Sequence, residues 1–373
     1  MSRGAKAAWI LGAAALAVAV AAGAFVQVSV NESFDAAVAE MDAATEVAQA
    51  AGESLQGVID DGAAALAASE AIVAVARDDL VDGDARAMLA DAAATSSNAV
   101  DEADALLSEP VRLPTTEKPL WPWEILSGTE RLEAGAARLE ALAVDLQAAQ
   151  DAIEDADEAL VESAVALYVT VPPRAVALEA ANISARHYAV LDLRDAADAV
   201  AGQTRVGSGA VSALRTYAEK ATQLAASAAA ELAEKAGPLY DTRLEIEAFA
   251  RSIAGGVVLD FDWAPLVNGL GGDAGMSGTA RWNADRGGFS TITLSDSVAE
   301  QWPSPDAQAL VAHEVGHAIT AKCHEMFDSD DADANEAWAT AWAISMGHTA
   351  TGNGVQAYGY PPQHLIDTAM ACR

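Results

Sequence analysis

Basic residues are scarce in this chain. Its 373 residues hold 21 lysines and arginines against 55 aspartates and glutamates, a formal charge of −34. Such a surface repels phosphate backbones, which argues against nucleic acid as a partner. It keeps the protein soluble and could draw in cationic peptides or divalent ions, although a solvated acidic face is the plainer reading. Aromatics are sparse at 5%. Alanine dominates instead, which favours long helices over sheet for most of the length. Cysteine is limited to Cys323 and Cys372. Two thiols allow one bridge, and an export signal near the N-terminus favours that bridge over two buried thiols.

That signal is the longest apolar run. Arg3 and Lys6 precede a stretch from Ala7 to Val30 broken only by Gln27 and Ser29, and Glu32 and Asp35 follow it. The run is long enough to cross a bilayer. Its basic flank leaves the N-terminus cytoplasmic and the C-terminal bulk extracellular, at the cell membrane, as a single-pass protein. A signal peptidase would cut near Ala22-Gly23-Ala24 and release a secreted form. Phe25, Val26, Val28 and Val30 carry the run past that point, so the expectation is an uncleaved transmembrane signal-anchor over residues 1–30.

Residues 31–253 are Ala-rich, acidic and helical in pattern. Sevenfold columns, the mark of a coiled-coil seam, recur at Ile59, Leu66, Val73, Leu80 and Ala87, and again at Leu132, Leu139, Leu146, Ile153, Leu160 and Leu167. The proline-dense stretch from Glu109 to Trp123 reads as a turn that makes the flanking helices antiparallel. Pro172-Pro173 reads as the end of the second helix. A third seam runs Leu214, Tyr217, Ala221, Leu224 and Ala228, with Leu232 near its end. The expectation is an antiparallel helical coiled-coil or bundle stalk, a spacer with scope for self-association.

Composition changes at residue 254, and residues 254–373 read as a small α+β domain, so the fold class is mainly α with this one exception. Val257–Phe261 and Phe289–Ser295 read as strands, with a shorter one near Thr279–Trp282. Asp306–Thr320 reads as a helix with Ser304 as N-cap and Pro305 at its first position. On that helix lies His313-Glu314-Val315-Gly316-His317. Positions four apart share a helix face, so both imidazoles can reach one metal ion. Glu314 lies about 60° round from His317. Two imidazoles and a neighbouring carboxylate are the needs of a zinc-water hydrolase.

A catalytic zinc takes a third protein ligand and keeps one position for water. A longer motif ending in a third histidine fails, because Thr320 and Cys323 occupy its glycine and histidine positions, and His324 is one residue off. Asp328, Asp330, Asp331 and Asp333 lie in a polar loop. Glu336, on a fresh helical run from Asn335 to Ile344, is the best candidate.

With Asn335-Glu336-Ala337 following the His-Glu-x-x-His run, residues 257–373 resemble the gluzincins, the thermolysin-like zinc metallopeptidases in the broad sense. The resemblance implies that His313, His317 and Glu336 bind Zn2+, that Glu314 is the general base, and that a peptide or protein is the substrate. It also makes Phe289–Ser295 the edge strand over the cleft. The family's aspartate four residues after the glutamate ligand is Thr340 here, which leaves the support of the first histidine to another group such as a backbone carbonyl. Tyr358, Tyr360 and His364 are candidates for stabilising the oxyanion. The function this implies is a membrane-anchored, extracellular zinc metalloendopeptidase. The alternatives are a structural or adhesive surface protein whose C-terminal domain binds metal without catalysis, and a zinc hydrolase of non-peptide amides.

Overall fold

The computed structural model of the chain describes residues 3–373, with the side chains of residues 3–15, 17 and 19 outside the described set. The chain is 73% helix and 6% strand, mainly helical with one small sheet. Two compact units make it up. The first holds Met1–Ala74, Gly83–Leu167 and Thr204–Gly209; the second holds Val75–Asp82, Tyr168–Gln203 and Ala210–Arg373.

Three helices build the first unit: α1 (Arg3–Val75), α2 (Gly83–Ser108) and α3 (Pro122–Tyr168). Gly128 lies against Phe34, Ser54 bonds Gln150, and Gly62 lies against Ile153 and Asp157, so α1 and α3 run parallel. Arg86 donates to the Val73 carbonyl while Gly52 lies against Leu107, so α2 runs antiparallel to α1. The proline-dense stretch therefore joins an antiparallel pair, α2 and α3, but the helix that starts the first heptad column is α1, parallel to α3. The column from Leu132 to Leu167 is buried throughout. The column from Ile59 is not a single seam, because α1 stops at Val75, and beyond Ile59 the buried α1 positions are Gly62, Ser69 and Ile72. A straight helix drifts about 20° per heptad against a strict sevenfold repeat, which turns Leu66 and Val73 partly outward. Ahead of them, Val30, Phe34, Ala37, Met41, Ala44 and Ala48 form a seam against Ile125, Leu132 and Leu139.

The anchor expected over residues 1–30 falls largely on side chains outside the described set. Among the described residues, one helical stretch, Pro122–Ala181, is long and apolar enough to cross a membrane by length and composition. It also carries the buried leucine column.

In the second unit, α4 (Val171–Ala181), α5 (His187–Ala201), α6 (Ser208–Glu234) and α7 (Tyr240–Ile253) precede the sheet. Pro172 and Pro173 open α4 rather than close α3; in a first turn the missing N–H leaves no bond unmade. This unit reaches further back than the composition change at residue 254. Ile246, Ala250 and Ala254 share a core with Leu259, Phe261, Ile292 and Val311. The backbone N–H of His187 donates to Asp260 at 3.1 Å, and its ring Nδ1 meets the same oxygen at 2.7 Å.

The sheet contains β1 (Val258–Ala264), β2 (Gly278–Asn283) and β3 (Phe289–Ser295), in the order β1-β3-β2. β1 pairs parallel to β3 from Val258↔Phe289 onward, and β2 pairs antiparallel to β3 from Gly278↔Leu294 onward. Phe289–Ser295 is thus the central strand, not the edge expected for it. Its Ser290, Ile292 and Leu294 are fully buried, while Phe289, Thr291 and Thr293 on the opposite face are half-buried. The edge is β2. The chain then passes through α8 (Asp296–Glu300), α9 (Pro305–Ala318), α10 (Thr320–Cys323), α11 (Ala332–Ser345), α12 (Val355–Tyr358) and α13 (Gln363–Met370). A disulfide joins Cys323 to Cys372, tying the end of α10 to the C-terminal tail.

Candidate metal centre

Local sequence sets the start of α9. The Ser304 hydroxyl accepts the Ala307 N–H at 3.2 Å, and Pro305 takes the first helical position. The helix then buries Ala309, Val311, Ala312 and Val315, which turns His313 and His317 towards α11. Gly316 sets how close α11 comes. A Cβ there would lie 2.7 Å from the Ala339 carbonyl oxygen and 2.8 Å from its Cα, so only glycine admits this helix contact. Asp331 caps α11 by accepting the Ala334 N–H at 2.8 Å, and Trp338 and Trp342 anchor the helix in the core.

These contacts bring His313, His317 and Glu336 together as a group that could hold a metal ion. His313 Nε2 lies 3.1 Å and His317 Nε2 lies 3.2 Å from Glu336 Oε2, and the two nitrogens are 3.2 Å apart. Three donors about 2.0–2.1 Å from one tetrahedral ion stand about 3.3–3.4 Å from each other, so the triangle matches that geometry. His313 Nδ1 lies 2.9 Å from the carbonyl oxygen of Asn353. A carbonyl only accepts, so Nδ1 carries the hydrogen, which leaves Nε2 as the ring atom that a metal ion at the centre would meet. A backbone carbonyl thus orients the His313 ring, with the Thr340 hydroxyl a further 3.3 Å contact. Asp306 holds that loop, accepting from the Thr351 hydroxyl at 2.7 Å and the Gly352 N–H at 3.1 Å. Gly354, at φ +95°, completes it; a Cβ there would lie 2.8 Å from the His313 ring.

Burial works against ionisation of Glu336, but the hydrogen bonds from His313 and His317 outweigh it and hold its carboxyl far below the usual range. Glu314 is 4% exposed, and its Oε2 has no hydrogen-bond partner. Burial pushes its carboxyl up to about 7, with the His313 charge opposing and the Glu336 charge adding. β2 passes directly over this group: a Cβ on Gly278 would lie 2.6 Å from Glu314 Cγ and Oε1. A cleft of about 450 Å³ opens here, lined by Asn268, Gly278, His313, Glu314 and Tyr358 among others.

Tyr358 stacks on His313, with ring centroids 5.9 Å apart and planes 8° from parallel. Burial and then the charge of Glu336 push its hydroxyl up. Tyr360 and His364 are exposed and do not line the cleft. His324 stacks near Trp282 instead, at 6.0 Å. Gly278, Asn353 and Gly354 are the residues that sequence reasoning missed. Asn353-Gly354 is legible as a turn, but nothing in it announces a carbonyl aimed at a histidine. No family model, curated protein or solved structure matches the chain.

Proposed function

We propose that the second unit is a zinc-dependent peptidase of the gluzincin type, displayed outside the cell by an N-terminal membrane helix. The observation that carries this reading is the convergence of His313 Nε2, His317 Nε2 and Glu336 Oε2 beside the buried, unpartnered Glu314 Oε2. Two imidazoles and one carboxylate form a donor set suited to zinc, with a fourth position left for water. Bound there, the ion supplies Lewis acidity towards a water and a carbonyl oxygen.

The chain's own groups do the rest. Glu314 takes a proton from the attacking water and passes it to the leaving amine as the peptide bond breaks. Its unpartnered oxygen faces no competing donor. The Tyr358 hydroxyl, beside Glu336, donates to the carbonyl oxygen as charge develops on it. Among the described residues β2 pairs with β3 alone, so an extended peptide can add to its other edge by main-chain hydrogen bonds. Gly278 sets that edge against Glu314, bringing the peptide's carbonyl to the base.

Metal analysis of the full chain, paired with a peptide-library digest, tests the reading. The expected result is bound zinc, hydrolysis that stops with chelator and returns with zinc, and a Glu314→Gln protein that keeps zinc without hydrolysis. A chain that takes up no zinc, or a Glu314→Gln protein that cleaves as fast as the parent, overturns it.

A further inference from the structure

The first unit exposes an apolar tip whose place matters more than its composition. Leu120, Trp121 and Trp123 are 87%, 56% and 64% exposed. The two indoles stack on each other, centroids 5.1 Å apart and planes 12° from parallel, so each shields part of the other, yet both stay more than half exposed. A soluble protein rarely leaves such a surface bare.

The tip lies at one end of the bundle. Ile125, two residues on from Trp123, packs with Val30 and Phe34. Gly128 lies against Phe34 in the parallel α1/α3 pair, so Trp123, five residues earlier, falls level with Ser29, five before Phe34. Lys118 fixes the loop from the other side. Its ammonium pairs with Asp35, donates to the Asn31 carbonyl at 3.4 Å, and sits 5.6 Å over the Phe34 ring. The indoles therefore stand where the apolar run of α1 gives way to its first polar turn. Among the described residues from Leu16 to Ser29, all are exposed except the half-buried Gln27. A helix apolar on every side requires either a protein core or lipid around it.

We infer that Leu120, Trp121 and Trp123 form an interfacial anchor that sits at the headgroup level of the lipid bilayer and fixes the depth and tilt of the bundle on the membrane. The inference rests on the membrane-anchored part of the reading above. Indoles prefer this boundary because the ring body is apolar and the N–H is polar. Lipid is favoured over a second copy of the chain because the patch is continuous with the run that would span the bilayer. Lys118, held on the far side of the loop by Asp35 and Asn31, marks where water begins. A single spanning helix is free to tilt, and a second contact at its rim removes that freedom.

The test uses the full chain in phosphatidylcholine vesicles, with lipids brominated either high on the acyl chain or near its end. Subtracting the emission of a Trp121→Phe/Trp123→Phe variant from that of the parent isolates the loop signal and cancels the other tryptophans, including Trp9. Both substitutions are at exposed positions and keep an apolar ring. The expected result is a loop signal shielded from aqueous iodide and quenched roughly two-fold or more strongly by the shallow bromines than by the deep ones. A chain that floats with the vesicles while its loop signal ignores both lipids overturns the inference and leaves the anchor standing. A loop signal shielded only as protein concentration rises without lipid also overturns it, in favour of a second copy. A chain that does not float at all overturns both.

Discussion

The ring Nδ1 of His313 and the carbonyl oxygen of Asn353 lie 2.9 Å apart, across 40 residues of sequence. This bond decides which nitrogen of His313 faces Glu336, and a backbone atom makes it. Side-chain replacement at residue 353 would leave the carbonyl in place, so the loop geometry is the quantity to perturb.

Gly354→Ala does that. Its Cβ would lie 2.8 Å from the His313 ring and 2.7 Å from Thr340 Oγ1, at a φ of +95°. The loop must move away, and loss of such support costs about 10–100-fold in metal affinity. Thr340→Val, which removes only the 3.3 Å contact, should cost less. Competitive chelator titration of the full chain measures both. Equal affinities for parent and Gly354→Ala would remove the Asn353 carbonyl from the argument.

Gly278→Ala separates catalysis from metal binding. The added methyl would meet Glu314 Cγ and Oε1 at 2.6 Å, and its three nearest neighbours all belong to Glu314, so the clash falls first on the base rather than on a metal donor. Glu314 must turn aside, and a misplacement of about 1 Å can cost about 100-fold in rate. The expected outcome is full metal content with kcat lowered by roughly that factor. Parallel metal analysis and peptide assays read it; unchanged kcat would mean that β2 does not position the base.

The residues that meet at the centre were legible because helix periodicity is strict. His313 and His317 share a face by spacing alone, Ser304 and Pro305 mark the start of their helix, and Asn335–Ile344 reads as a second helix that can fold back. The disulfide partners were legible because there are only two cysteines. Strand order was not. Phe289–Ser295 alternates as an edge strand does, and its central place follows from a parallel partner, Val258–Ala264, that no local pattern announces. The Asn353 carbonyl was hidden because every residue carries one. The seam of α1 was hidden by alanine, which occupies its inward and outward faces alike and leaves the column from Ile59 to look continuous.

Acid should loosen the second unit through Asp260, which is 1% exposed on β1. Burial opposes its ionisation, but hydrogen bonds led by that of His187 outweigh burial and hold the carboxyl below its ordinary value. A carboxyl with a depressed folded pKa contributes stability that is complete above its unfolded value of about 3.9 and is lost as pH falls through the folded one. Asp260→Asn should therefore lower stability at neutral pH and flatten its fall below about pH 4. Denaturant unfolding between neutral and acid pH checks this. A variant whose stability falls in acid as steeply as the parent's would place the effect on other carboxylates.

The Cys323–Cys372 bridge closes a loop with a sequence separation of 49 around α11, α12 and α13. It ties the end of the histidine-bearing segment to the tail, where the Cys372 carbonyl accepts the Trp342 indole N–H at 2.9 Å. Trp342 belongs to the same helix as Glu336, so the bridge braces both helices that supply the centre. A loop of this size is worth about 3–4 kcal/mol in the chain-entropy model. Cys372→Ser should lower the unfolding free energy of the second unit by about that amount and weaken metal binding with it, while the first unit unfolds as before. Denaturant unfolding with metal titration on the same protein reads both effects. Full metal affinity in the destabilised variant would show that α9 and α11 hold their spacing through Gly316 and the buried tryptophans alone.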